Sequence, residues 1–215
     1  MQKDIISPAV LNKIIEDLRV KGYSIQDDLL PSYLIDALEQ EGINQPDEQW
    51  HNAGIGRQQN FQIAKNIRRD KIFWIDGGTQ TAECFLSAME QLKTTLNRKL
   101  LLGLFDYEAH FAQYPVGGFY EKHLDAFKGK GNRILSTVLY LNSDWKQTDG
   151  GELILYDEEY TDKEIGRFIP QKGRFVIFLS ECFYHQVNIA NKQRYSIAGW
   201  FRVNNSLFGK IDSNR

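Results

Sequence analysis

The chain has 215 residues, 42% of them hydrophobic and 25% charged, which is the balance expected of a globular protein with a sizeable core. Its net charge of −2 argues against a general nucleic-acid binder, and its two cysteines, Cys84 and Cys182, supply no disulfide framework. No stretch approaches the length of a membrane span and the N-terminus lacks the apolar core of a signal peptide, so we expect a cytoplasmic protein without membrane partners.

Three helices are predicted in the first hundred residues. The first covers residues 7–20, where Ser7 can cap the helix, Pro8 suits its first position and Gly22 ends it. Apolar residues recur on one face of each helix, which is typical of packing against a sheet. The other helices are predicted at residues 31–41 and 79–99, and short strands at residues 23–25 and 71–75.

A long polar segment separates the second helix from the strand at residues 71–75. Residues 46–70 are rich in turn residues and carry Arg57, Lys65, Arg68 and Arg69. A linker of this length inside a compact domain is usually a functional lid or a disordered segment. A solvated basic loop is the simpler alternative.

From residue 101 onward the pattern becomes all-β. Many short strands at even spacing favour a sandwich or a barrel, so the whole chain is predicted to be α+β and mainly β. The candidate strands are residues 104–114, 119–125, 132–142, 151–156, 166–169, 173–179, 184–190 and 193–203.

Two separated stretches contain the ligand types of an iron site. In an extended strand His123 and Asp125 project from the same face, because residues two apart share a face. That pair alone is a weak signal, and a surface histidine beside a solvated aspartate would explain it. His185, which follows the apolar run 174–179, completes a set of two histidines and one carboxylate. This is the ligand set of non-haem Fe(II) oxygenases, which leaves metal positions open for other ligands.

The last predicted strand contains a basic residue with space beside it. Arg194, Ser196, Ala198 and Trp200 share one face, and the two small residues leave room next to the guanidinium. A buried arginine needs an anionic partner, and its planar fork suits a carboxylate. A ligand carboxylate is therefore plausible, and an arginine on a solvated strand face is the alternative.

Tyr140 is a second candidate for the same pocket. In residues 132–142, Ile134, Ser136, Val138 and Tyr140 alternate with apolar residues. If this face points inward, Tyr140 joins Arg194, and its hydroxyl can hydrogen-bond the same carboxylate. A core tyrosine satisfied by other groups is the alternative.

These motifs together resemble the prolyl hydroxylase family of 2-oxoglutarate- and Fe(II)-dependent oxygenases. The similarity is to the branch with the hypoxia-sensing prolyl hydroxylases and their bacterial relatives, and it covers roughly residues 66–203. The matching residues are Asp70-Lys-Ile-Phe-Trp-Ile-Asp76, Tyr114-Pro115, Tyr120-x-x-His123-x-Asp125, Tyr140-Leu-Asn-x-Asp-Trp145, Gly150-Gly-Glu-Leu153, His185 and Arg194-Tyr-x-Ile-x-x-Trp200.

The resemblance implies a fold and a set of site residues. The fold is a double-stranded β-helix, or jelly roll, with the N-terminal helices packed on one sheet. Residues 101–215 form its catalytic core, and residues 1–100 are a helical support with a mobile loop near 52–68, all within one structural domain. The implied ligands are Fe(II) on His123, Asp125 and His185, 2-oxoglutarate on Arg194, Tyr140, Tyr114 and Trp200, and substrate beside Tyr120.

The resemblance also implies a reaction. The expected activity is O2-dependent hydroxylation of a prolyl residue in a protein or peptide, at C4, with succinate and CO2 as products and ascorbate as a candidate auxiliary cofactor. Hydroxylation of free proline or another small amino acid is the main alternative. A free-amino-acid site should be closed and carry a second carboxylate-binding residue, whereas a peptide site should be an open groove.

Two further alternatives belong to other classes. A non-enzymatic jelly-roll binding module would keep the fold, but it has little reason to retain all of His123, Asp125, His185 and Arg194. A metal enzyme of the cupin type would share the barrel, but such enzymes usually use more histidines and need no equivalent of Arg194.

Overall fold

The structure is a computed structural model, and it describes residues 4–54, 66–127, 129 and 131–204. Three helices form one layer of the molecule. They are α1 (Pro8–Lys21), α2 (Ser32–Ile43) and α3 (Gln80–Leu100). No helix in the described ranges has the length and apolar character needed to cross a membrane.

Local chemistry fixes the ends of the helices. At the start of α1 the Ser7 hydroxyl accepts a hydrogen bond from the Val10 amide at 3.3 Å, and Gly22 ends the helix with a φ of 77°. At the start of α3 the Thr79 hydroxyl accepts from the Ala82 amide at 3.0 Å. Such caps satisfy amides that have no partner within the helix.

Two antiparallel sheets form the other two layers. The seven-stranded sheet has the order β1-β9-β6-β11-β4-β3-β2, and the four-stranded sheet the order β5-β10-β7-β8. The large sheet contains β1 (Tyr23–Gln26), β2 (His51–Asn52), β3 (Lys71–Trp74), β4 (Leu104–Tyr114), β6 (Arg133–Tyr140), β9 (Phe175–Leu179) and β11 (Arg194–Val203). The small sheet contains β5 (Tyr120–His123), β7 (Leu153–Tyr156), β8 (Glu164–Phe168) and β10 (His185–Val187).

Each face of the large sheet buries its own apolar cluster. The helices cover the outer face, where Phe85, Met89 and Leu92 of α3 belong to one cluster with Leu139 and Phe201. The inner face meets the small sheet through a second cluster that contains Ala112, Tyr114, Tyr140, Leu155 and Val187. The predicted jelly roll with helices packed on one sheet is confirmed, and the space between the sheets is where polar side chains converge.

One segment joins the two sheets along an open side of the sandwich. The amide of Glu121 donates to the carbonyl of Ile67 at 2.8 Å, and the amide of Arg69 donates to the carbonyl of Phe119 at 2.9 Å. The chain therefore runs along the free edge of β5 and then continues directly into β3, which pairs with β4. Most of the predicted mobile loop near 52–68 lies outside the described residues.

Several predicted strands are longer than the observed ones. The strand predicted at residues 119–125 ends at His123 in the structure. Its partner β10 begins at His185, opposite His123, so no strand residue is available to pair with Leu124 or Asp125. The prediction 151–156 starts too early, because Gly150 and Gly151 have φ values of 66° and 69°. The strand predicted at residues 184–190 is also shorter in the structure, where β10 covers only His185–Val187. These differences matter because the site lies where β5 and β10 end.

Candidate active site

His123, Asp125 and His185 converge between the two sheets. His123 is the last residue of β5 and His185 is the first residue of β10, and the two are directly paired across the strands. The His123 Nε2 is 3.7 Å from Asp125 Oδ1, and the His185 Nε2 is 3.6 Å from Asp125 Oδ2. One ligand atom from each residue lies within 4.8 Å of the others.

The geometry of this cluster differs from the predicted one. Asp125 follows the end of β5 and lies in a bend, so it does not share a strand face with His123. The carboxylate nevertheless reaches both imidazoles because the chain turns back toward β10. The three residues come together by turn geometry and strand pairing rather than by the period-2 rule.

Backbone carbonyls orient both imidazole rings. His123 Nδ1 lies 2.7 Å from the carbonyl oxygen of Glu121, and His185 Nδ1 lies 3.2 Å from that of Phe183. A carbonyl oxygen can only accept, so each Nδ1 carries the hydrogen and each Nε2 is turned toward Asp125. Metal-binding histidines are commonly fixed in this way by a partner on the other nitrogen.

The protonation states suit a divalent metal. Burial lowers the pKa of His123 to about 3, so this imidazole is neutral at neutral pH. Burial would by itself raise the pKa of Asp125, but His185, His123, Arg133 and a hydrogen bond from Ser136 hold it below its usual value. A carboxylate and two outward nitrogen donors fit Fe(II).

Arg194 is buried beside two tyrosines. Its side chain is on the inner face of β11, with 1% of the residue exposed. Its Nε donates to the Gly151 carbonyl at 3.0 Å and its Nη1 to the Ser196 hydroxyl at 3.2 Å. The guanidinium carbon lies 4.7 Å from the centre of the Tyr114 ring and 5.0 Å from that of Tyr140.

The Arg194 pocket contains groups that need a partner. In the described part of the chain no carboxylate forms an ion pair with Arg194, although burying an unpaired charge is costly. The Tyr140 hydroxyl is buried and has no hydrogen-bond partner there either. Burial raises the pKa of Tyr140 to about 12, so the phenol keeps its proton and can donate it. Together these groups can receive a ligand carboxylate.

Gly151 sets the position of the Arg194 side chain. A Cβ atom placed on Gly151 would lie 3.1 Å from Arg194 Cδ and 3.3 Å from both Ala190 Cβ and Trp145 Cζ2. We expect Gly151→Ala to displace the arginine and to weaken binding of a dicarboxylate about tenfold, the cost of losing one charge-assisted hydrogen bond. Calorimetric titration with 2-oxoglutarate measures this.

Gly103→Ala is the matched control for Gly151→Ala. Gly103 has a φ of 67°, close to the 69° of Gly151, but no atom lies within 4 Å of its added Cβ. Both variants should lose about 1–2 kcal/mol of stability from left-handed strain. An equal loss of 2-oxoglutarate affinity in both would contradict the steric explanation.

Tyr120 lies against a metal-ligand candidate rather than in open space. Its ring stacks on His123 with centroids 3.6 Å apart and an interplanar angle of 17°. Arg68 covers the other face of the ring at 4.2 Å. The Arg68 guanidinium is itself held by Asp70, with Nε to Oδ1 at 2.7 Å and Nη2 to Oδ2 at 2.6 Å. The composition of residues 46–70 indicated basic residues there, but not this long-range stack.

Three packed rings run from Trp200 on β11 to the exposed Trp74 on β3. Trp200 lies 5.5 Å from the ring of His110, and Trp74 touches the other side of that histidine with centroids 5.2 Å apart. Burial lowers the pKa of His110 to about 3. His110 lies four residues before Tyr114 on β4, so the two side chains are on the same face of the strand.

Arg133 stacks on the Trp200 ring. Its guanidinium carbon lies 3.5 Å from the Trp200 ring centre, and its Nη2 donates to Glu108 at 2.9 Å. The Trp200 Nε1 is buried without a hydrogen-bond partner among the described residues. Sequence analysis did not single out Arg133, because its role depends on a strand pairing that periodicity does not reveal.

Comparison with known proteins identifies relatives of this chain. A family model described as the 2OG-Fe(II) oxygenase superfamily matches residues 109–202, which run from β4 into β11. Human Egl nine homolog 1 is 33% identical in an alignment 156 positions long, which covers 66% of this chain and 35% of that protein. The chain spans between 28% and 44% of the length of the curated relatives it matches.

Two solved structures share the fold over most of the chain. A Pseudomonas putida prolyl-4-hydroxylase is 38% identical, with a TM-score of 0.81 and coverage of 90% of this chain and 99% of that one. A Trichoplax adhaerens prolyl hydroxylase, solved with a hypoxia inducible factor oxygen degradation domain peptide fragment, is 28% identical with a TM-score of 0.80. It covers 90% of this chain and 89% of that one.

Proposed function

This chain belongs to the prolyl hydroxylase family of 2OG-Fe(II) oxygenases, and on that premise we propose that it hydroxylates a prolyl residue in a protein or peptide. The proposed reaction consumes 2-oxoglutarate and O2 and releases succinate and CO2. We place the new hydroxyl group on C4 of the proline, as in prolyl 4-hydroxylases. The observation that best supports this proposal is the buried Arg194, which lies beside a Tyr140 hydroxyl without a hydrogen-bond partner among the described residues. Both lie between the two sheets, as does the cluster of His123, Asp125 and His185.

Each site residue has a role in this proposal. His123, Asp125 and His185 hold Fe(II), which with 2-oxoglutarate supplies the O2-dependent oxidation of a C–H bond. Arg194 and Tyr140 hold the distal carboxylate of 2-oxoglutarate, the arginine by charge and the phenol by donating a hydrogen bond. Tyr114 and Trp200 line the cosubstrate pocket and exclude water, and Tyr120 lines the substrate side.

We place the peptide entrance at Trp74. This ring is 46% exposed and packs against His110, so it offers an apolar contact to a peptide. A free amino acid would need a second carboxylate-binding cation near the metal. Arg68 and Arg133 both lie near the pocket, but Asp70 and Glu108 already neutralise them. This charge pairing favours a neutral segment of polypeptide.

The remaining alternatives lack comparable support. A non-enzymatic module gives no reason for a neutral His123 and an ionised Asp125, or for a buried arginine beside a tyrosine hydroxyl that has no partner among the described residues. A cupin-type metal enzyme does not need the Arg194 pocket. We also propose ascorbate as an auxiliary reductant and the cytoplasm as the location, the latter supported by Cys84 and Cys182, which form no disulfide in the described part of the chain. The net charge of −2 supports a partner other than nucleic acid.

The direct test measures products with different substrates. Protein loaded with Fe(II) under anaerobic conditions is given O2 and 2-oxoglutarate, alone, with proline-containing peptides, or with free proline. We expect peptide to stimulate succinate and CO2 release, and the peptide to gain the mass of one oxygen atom. Stimulation by free proline alone would move the assignment to small-molecule hydroxylation. Absence of Fe(II) and 2-oxoglutarate binding would contradict the enzymatic assignment altogether.

Trp74→Ala tests the entrance separately. Removing this exposed ring should lower peptide-stimulated turnover about tenfold, since a buried aromatic contact contributes on the order of 1–2 kcal/mol to binding. Tyr33→Ala removes another exposed aromatic, 69% exposed on α2, and serves as the control. A Trp74→Ala variant with unchanged peptide KM would argue against this surface as the peptide entrance.

A further inference from the structure

Two buried serines lie behind the metal cluster. Ser136 is in β6, and Ser180 follows the end of β9. The Ser136 hydroxyl lies 2.6 Å from Asp125 Oδ2 and 2.8 Å from the Ser180 hydroxyl. Ser136 is 2% exposed and Ser180 0% exposed. These two hydroxyls therefore form a hydrogen-bond chain that ends on the carboxylate of Asp125, one of the three candidate metal ligands.

The direction of this hydrogen-bond chain is fixed by its last member. The Ser136 hydroxyl donates its single hydrogen to Asp125 Oδ2, since a carboxylate oxygen accepts. The contact between the serines then requires Ser180 to donate to Ser136. Each bond polarises the next, which strengthens the final bond to Asp125.

Asp125 needs such support more than the two histidines do. His123 and His185 are held by paired strands and by backbone carbonyls. Asp125 lies in a bend beyond β5, where no strand ladder fixes its side chain. Among the described residues, the Ser136 hydroxyl is its hydrogen-bond donor. The orientation of the carboxylate thus depends on a residue in the other sheet.

We propose that Ser136, aligned by Ser180, is a positioning residue for the metal site. Its hydroxyl engages Oδ2 of Asp125, which would leave Oδ1, 3.7 Å from His123 Nε2, as the carboxylate atom available to a metal. This arrangement keeps the remaining metal positions available to cosubstrate and O2. The inference rests on the proposed metal site, and it assigns a role to residues outside the family motif quoted for this chain.

Metal affinity provides a readout that does not depend on turnover. Mn(II) binding is measured by electron paramagnetic resonance, and the visible spectrum of Co(II)-loaded protein reports the ligand arrangement. We expect Ser136→Ala to weaken Mn(II) binding 10- to 100-fold, the usual effect of losing such an outer partner, and to change the Co(II) spectrum. Ser180→Ala should weaken binding by a smaller factor, because the Ser136 donor remains.

Two controls separate the hydroxyl from general packing. Ser136→Thr keeps the hydroxyl and should restore the Mn(II) affinity. Ser24→Ala removes a similar but distant chain, in which Ser24 accepts from Gln26 at 2.8 Å and donates to the buried Asp17 at 2.9 Å. It should lower thermal stability without changing Mn(II) affinity.

The outcomes distinguish the inference from the proposed function. If wild-type protein binds neither Mn(II) nor Co(II), the metal site and the inference both fail. If wild-type protein binds both metals and Ser136→Ala matches it in affinity and spectrum, only the role of Ser136 fails. Equal weakening in Ser136→Ala and Ser136→Thr would assign the effect to packing and overturn the positioning role. If Ser136→Ala does not fold, wild-type affinity in Ser180→Ala overturns the proposed chain.

Discussion

Asp125→Asn is expected to abolish turnover and to reduce Fe(II) affinity below detection, while the protein remains folded. The amide has nearly the shape of the carboxylate, and its oxygen can still accept from Ser136. It lacks the negative charge that a divalent cation requires from its sole anionic protein ligand in this cluster. Anaerobic titration with Fe(II), circular dichroism and succinate release measure the three expectations.

A matched substitution shows whether the loss is specific. Asp28→Asn removes an exposed carboxylate in the loop before α2, far from the cluster, and should leave Fe(II) affinity unchanged. His123→Ala should resemble Asp125→Asn, because it removes one of the two nitrogen donors. Turnover by either variant would show that the cluster of His123, Asp125 and His185 is not the iron site.

Arg194→Met is expected to raise the Kd for 2-oxoglutarate between about 30-fold and a few thousand-fold. Loss of one partner of a buried, hydrogen-bonded charge pair costs about 2–5 kcal/mol. Methionine fills much of the same space, so the pocket should keep its shape while losing the cation. Calorimetric titration of metal-loaded protein with 2-oxoglutarate gives the affinity directly.

Metal binding should be almost unaffected by this change, since Arg194 makes its described hydrogen bonds to Gly151 and Ser196 rather than to the cluster. Arg194→Lys should be intermediate, because it keeps the charge but loses the planar fork. Arg19→Met removes an exposed arginine of α1 and controls for the loss of positive charge. Unchanged 2-oxoglutarate affinity in Arg194→Met would place the cosubstrate elsewhere.

The sequence predicted the orientation of side chains most accurately when the residues concerned lie on one strand. In β11, period-2 alternation correctly places Arg194 and Ser196 on the inner face, and in β6 it places Ser136 and Tyr140 there. These strands are long and central, with one face against helices and the other against the small sheet. Their pattern therefore reports burial directly.

The sequence was less informative where contacts join distant segments. His123 and Asp125 were predicted to share a strand face, but the strand ends at His123 because its partner begins at His185. The stack of Arg68 on Tyr120 likewise depends on how the chain before β3 follows the edge of β5. Register between distant strands is set by the whole sandwich, so local periodicity carries no signal for it.

The two parts of the site lie on strands of different length. The anion pocket lies on β4 and β11, with eleven and ten residues, whereas the cluster lies on β5 and β10, with four and three. Short strands with few ladder bonds open at a lower free energy than long central strands. We therefore expect the end with His123 and His185 to open at a lower free energy than the end with Arg194.

A bound cation would act on the weaker half as a cross-link. By joining His123 of β5 to His185 of β10, it adds a connection between strands that share few backbone hydrogen bonds. Metal-free and metal-loaded protein would then differ less in average structure than in how often the small sheet opens. On this basis an ion bound there would also lengthen the time for which the site stays assembled between turnovers.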